Sequence, residues 1–162
     1  MTTEHGSSLT HLPRGATGFR DPQTELLPTT DSRAFASACY EAARRARCRI
    51  IEITQPVLTP NFHTAVMSCR SLDFAVLGHV HLPLMAIAQV QAARSTSVVF
   101  IDGVPEIEEA LRSSGAFRIL ASDELRKPLE LIDTSSLDQA ECRQVAYWKP
   151  ATLGQLLFNY WD

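Results

Sequence analysis

At 162 residues and 45% hydrophobic, the chain is long enough to bury one proper core and short for two. Its 15 basic and 18 acidic residues are mixed along the chain and leave a formal charge of −3, so no basic footprint for nucleic acid or an anionic membrane is present. No apolar run approaches the roughly 18 residues of a membrane span, and the polar N-terminus lacks a signal peptide's apolar core, so a cytoplasmic location is the simplest expectation.

Cys39, Cys48, Cys69 and Cys142 show no CxxC spacing and no clustering, which argues against a zinc ribbon or a redox pair. Free thiols are expected. Residues 1–29 carry Gly6, Gly15, Gly18, Pro13, Pro22 and Pro28 among polar side chains, and read as a flexible N-terminal arm ahead of one α/β domain over 30–162. Phe19, Leu26 and Leu27 are the apolar side chains able to pin the arm's second half.

The spacing predicts a helix over 32–47, capped by Asp31 or Ser32, whose small face of Ala38, Cys39, Ala42 and Ala43 suits close packing on a sheet. A strand over 49–54 follows and stops at Gln55-Pro56. Residues 57–70 have no clear period and read as irregular, with a short helix around 64–69. The apolar run 72–77 predicts a second strand. Gly78-His79-Val80-His81 then leads into a buried helix from Pro83 to about residue 93.

Residues 97–120 show strand, turn, helix, glycine stop and second strand in order. Val98 to Ile101 are apolar and β-branched or aromatic, Pro105 suits a first helical turn with Glu106, Glu108 and Glu109, and Gly115 suits a left-handed cap. This predicts a β-α-β unit with strand 97–101 interior and parallel to 117–120. A helix start is expected at Ser122, a polar loop over 133–142, a short strand over 145–148 and a final helix from Thr152, its face formed by Leu153, Leu156, Leu157, Tyr160 and Trp161. The fold class expected is α/β: a single three-layer domain, with a mainly parallel sheet of about four to five strands and flanking helices.

In parallel sheets the ligand site lies beyond the carboxyl ends of the strands. That rule gathers Thr54 and Gln55, then Gly78, His79 and His81, then Asp102 and Gly103, then Ser122 and Asp123. His79 and His81 alternate so that both imidazoles could meet one metal, with Asp102 or His63 as a third ligand, or act catalytically together with Asp102. Thr54, Gln55, Gly78, Gly103 and Asp123 are the ligand-binding candidates. Gly78 before a helix start invites a phosphate, but neither GxGxxG nor GxxxxGK[ST] is present. Cys69 is the least implausible nucleophile, against the plainer reading of an inert thiol.

Five of the twelve aromatic residues lie after position 146. Tyr147, Trp148, Tyr160 and Trp161 are therefore the partner-binding candidates, since protein contacts favour aromatic side chains. The functional expectation is a binding or regulatory protein acting through a protein partner, of adaptor, inhibitor or immunity type. The alternative is a small metal-assisted hydrolase or lyase with its polar site at the strand ends. The expected partners are a protein or a small molecule, with homo-oligomers allowed and neither nucleic acid nor membrane. No motif names a cofactor.

Overall fold

The computed structural model describes residues 9–92, 94–102 and 104–162. Four strands, β1 (Arg49–Thr54), β2 (Phe62–Cys69), β3 (Leu72–His79) and β4 (Leu84–Ala88), lie side by side in chain order, each antiparallel to the next. On the far side of β4, β5 (Arg118–Ile119) pairs parallel, with Leu84 opposite Arg118. The expected mainly parallel sheet is thus corrected to a mixed one. Chain length explains why. A parallel connection needs a crossover of about a dozen residues or more, whereas β1 to β2, β2 to β3 and β3 to β4 are joined by residues 55–61, 70–71 and 80–83. Arg70 closes the shortest of these turns in the left-handed region, at φ 58°.

Two segments carry the difference. Residues 62–69, expected as irregular chain, are β2, and 84–88, expected as helix, are β4. β4 lies between covered faces and shows no polar alternation, whereas β2 alternates buried Ala65 and Met67 with part-exposed Thr64, Val66 and Ser68, a two-residue period broken by the apolar Val66 on its open face. All five residues of β4 are buried, and so short an apolar run fits a buried helix or a buried strand equally.

The partnership expected between 97–101 and 117–120 does not form, because both segments lie along the same edge of β4. The Gln89 N–H donates to Val99 O at 2.9 Å and the Ile101 N–H to Ile87 O at 3.0 Å, an antiparallel contact. Further along, the Arg118 and Leu120 N–H groups reach Pro83 O and Met85 O at 2.8 and 2.9 Å. Residues 97–101 therefore occupy an edge, with Val99 half exposed.

One face of the sheet carries α1 (Ser32–Ala46) and α2 (Pro105–Ser114). The Asp31 carboxylate caps α1 by accepting from the Arg33 N–H at 2.9 Å, and Ala38, Cys39, Ala42 and Ala43 are buried against the sheet side as their size suggests. α2 buries Ile107, Ala110 and Leu111 and ends at Gly115 with φ 69°. The opposite face is covered by residues 9–30, α3 (Ser122–Leu125), α4 (Gln139–Trp148) and α5 (Leu153–Leu157).

α4 replaces the expected polar loop over 133–142 and strand over 145–148. Its start is a capping box: Asp138 caps the Glu141 N–H while the Glu141 carboxylate reaches back to the Asp138 N–H. Glu141 is its only fully buried residue, so no apolar stripe marks it. The final helix is shorter than expected. Thr152 caps it as foreseen, but α5 ends at Leu157, where the Asn159 N–H leaves the helix for the Asn61 side chain at 2.9 Å.

Residues 9–30, part of the expected arm, run against the domain. Leu12 and Ala16 are fully buried, and the Leu12 N–H donates to Asp133 O at 3.0 Å. The expectation of free thiols is also corrected: Cys48 and Cys69 are disulfide-bonded, their Cα atoms 4.4 Å apart, just beyond the pair Arg49 and Ser68. They oppose each other only because 62–69 is a strand, which sequence spacing did not show. Cys39 and Cys142 are free. Among the described residues no helix is long and apolar enough to cross a membrane.

Candidate functional site

The end of β3 places His79 in the interior, fully buried. Its Nδ1 accepts from the backbone N–H groups of His81 and Leu82 at 3.0 and 3.1 Å, so Nε2 carries the proton and donates to Ala16 O at 2.8 Å. Burial pushes its pKa down to about 4. Both ring nitrogens are thereby committed to the fold. His81 hydrogen-bonds Pro28 O through Nδ1 at 2.8 Å, and its ring lies 6.1 Å from that of His79.

Asp102 serves a different joint, accepting from the Ser122 N–H at 3.2 Å and from the Ser122 hydroxyl, which ties the edge segment to α3. Asp123 is exposed beside Arg126. Gly78 is not open to a ligand: a Cβ there would lie 2.4 Å from Cδ2 of Phe35, so the glycine makes room for that ring. Gly103 lies outside the described residues. His63 is buried against Phe35, ring centroids 5.4 Å apart, with no hydrogen-bond partner for either nitrogen among the described residues, and burial lowers its pKa. Among the described residues no three His, Cys, Asp or Glu side chains gather as a metal site, and Cys69 is held in the disulfide.

Sequence reasoning missed the polar centre. The buried Glu141 carboxylate accepts from Gly15 N–H and Thr17 N–H, both at 2.9 Å, and from the Thr17 hydroxyl at 2.6 Å. Asn61 donates to Leu157 O at 2.8 Å, and Asn159 donates to Leu156 O at 2.8 Å and Thr17 O at 3.2 Å. These bonds lash the N-terminal segment and the C-terminal tail to the start of β2. The D-x-x-E spacing of Asp138 and Glu141 was the available signal.

The outer surface has a different character. Thr54 and Gln55 line a groove of about 490 Å³ with Phe62, Leu77, Val98 and Tyr160, over sheet that the helices leave uncovered. Tyr160 packs edge-on against Phe62 at 5.4 Å and its hydroxyl meets the Gln91 side chain. Next to it a cavity of about 430 Å³ is walled by Trp148, Tyr160 and Trp161, among others. Trp148 and Trp161 lie parallel, centroids 6.0 Å apart and 3° between planes, and Tyr147 meets Trp148 edge-to-face at 5.1 Å. A third depression, about 510 Å³, runs from Trp161 to Val57 and Leu58.

Val57 and Leu58 are 95% and 92% exposed and Tyr147 is 75% exposed. One apolar surface thus runs from Val57 and Leu58 through Trp161 and Trp148 to Tyr147. The four partner-binding candidates lie along it, three of them in one cluster, whereas His79 and Asp102 are engaged in separate structural joints. Val57 and Leu58 were not singled out from the sequence; two aliphatic residues between Pro56 and Pro60 in a polar loop were the signal. Compared with protein-family models, with curated proteins and with solved structures, the chain matches none.

Proposed function

We propose that the chain is a binding or regulatory protein that docks a protein partner, as an adaptor, inhibitor or immunity-type protein does. The observation that supports this reading most is the exposed surface joining Val57 and Leu58 to Trp161, Trp148 and Tyr147. Solitary exposed apolar residues are ordinary, but a connected set of aromatic and aliphatic side chains around concave surface suits protein recognition. The metal-assisted alternative draws less support, because both ring nitrogens of His79 are occupied by the fold.

Affinity capture with the full chain and with Val57→Asp/Leu58→Asp tests the proposal. The two side chains are almost wholly in solvent, so the variant should melt as the parent does. A partner retained by the parent and lost by the variant is the expected result; identical retained proteins would refute the surface. The Cys48–Cys69 disulfide weighs against the cytoplasmic location expected from the sequence, since disulfides persist mainly in oxidising compartments. Alkylating cells before lysis should leave both sulfurs unreacted. Both thiols alkylated at that point would return the protein to a reducing compartment.

A further inference from the structure

We propose that the cavity beside Trp148 and Trp161 receives an arginine side chain of the protein partner. The inference rests on the protein-binding reading and names what the partner brings to it.

The cavity, about 430 Å³, is walled by Phe100, Trp148, Phe158, Tyr160 and Trp161, and Asp162 lies at its edge as the only charged side chain of the lining. Aromatic faces carry negative charge density and attract cations, so such walls with a carboxylate favour a positive group and disfavour an anion. Among the described residues that carboxylate has no hydrogen bond or ion pair. Trp148 is the last residue of the ten-residue helix α4, whose carboxyl end adds the negative pole of its dipole to the same wall. Lys149, which follows, is exposed and does not line the cavity.

The shape selects among cations. The indoles of Trp148 and Trp161 stack on each other, parallel within 3°, and a planar guanidinium extends such a stack from an outer indole face while keeping its N–H fork for a carboxylate. A lysine ammonium is a compact, strongly hydrated point charge and gains less from a flat aromatic wall. The groove lined by Thr54 and Gln55 has only Glu52 as a charged lining residue, so no basic side chain lines either cavity to repel the arginine.

The test needs no partner and therefore fails or succeeds independently of the capture experiment. N-acetyl-arginine amide is titrated into the full chain while tryptophan fluorescence and indole N–H resonances are followed, with N-acetyl-citrulline amide as the uncharged analogue of the same shape. The arginine probe should give a saturable change, roughly tenfold tighter than citrulline, which is what one cation–π contact and one exposed ion pair supply together. Asp162→Asn, at an exposed position, should melt as the parent does and weaken the arginine probe roughly threefold. Equal affinity for arginine and citrulline, an arginine affinity unchanged in Asp162→Asn, or no saturable change with the chain folded would each overturn the assignment.

Discussion

Lowering the pH from neutral should destabilise this protein chiefly through His79. In the native state the ring is neutral, held by two backbone donors on Nδ1 and by Ala16 O on Nε2, and burial depresses its pKa from the ordinary 6.5 to about 4. The unfolded chain takes up the proton near pH 6.5 and the folded chain does not, so stability is fully present above that pH. It falls as pH drops from 6.5 towards 4. At about 1.4 kcal/mol per pH unit, the loss across that window is about 3 kcal/mol, a large part of a small domain's total. His63, also lowered by burial, adds a loss of the same sign. Asp21, Asp133 and Asp138 have depressed values of their own, but their contributions are lost only as pH falls below about 4. Urea unfolding of the parent and of His79→Gln at pH 7.5, 5.5 and 4.5 isolates the effect. The variant is weaker at pH 7.5, because donors and an acceptor lose their partner, yet its stability should fall less steeply with acid. Parallel pH dependences, or a His79 proton resonance titrating near 6.5 in the native protein, would refute the reasoning.

Gly78→Ala should cost about 2–3 kcal/mol by equilibrium unfolding, since the new methyl would meet Phe35 at 2.4 Å and that ring is buried against His63 and Phe117; adding Phe35→Leu should recover part of the loss, and no recovery would place the strain elsewhere. Glu141→Gln turns an amide N–H₂ towards N–H groups that now meet a carboxylate, so unfolding should show a loss of about 2–3 kcal/mol. An unchanged midpoint would mean the carboxylate is dispensable to the N-terminal segment. Trp161→Ala should cost only about 1–2 kcal/mol, because Trp161 is half-buried and stacks on Trp148 rather than filling a helix face in the core; a loss above about 4 kcal/mol would contradict that placement.

Helices with an amphipathic stripe and a recognisable end were legible in the sequence: Asp31 at the start of α1, and Pro105 and Gly115 at the ends of α2, stand where expected. Two strands were not. Leu84–Ala88 is buried throughout and has no polar alternation, while in Phe62–Cys69 the apolar Val66 sits between Thr64 and Ser68 on the part-exposed face and blurs the period; without these two, Leu72–His79 has no hairpin partners, which left a parallel sheet as the default. The strand-end rule for locating a site therefore applied to a sheet that does not exist, and of its residues Thr54 and Gln55 line the groove while His79, Gly78 and Asp102 hold the fold together. The aromatic candidates were selected on composition rather than topology. Tyr147, Trp148 and Trp161 form one surface cluster although the helix expected to carry Trp161 ends at Leu157.

Photo-crosslinking in the living host tests the proposed docking surface most directly. A benzophenone amino acid is placed in turn at Leu58, at Tyr147 and at Arg112, the last on α2 across the sheet from the others. A protein adduct of one mass from the Leu58 and Tyr147 positions, with none from Arg112, is the predicted result. Adducts absent from Leu58 and Tyr147, or formed equally at all three positions, would contradict it.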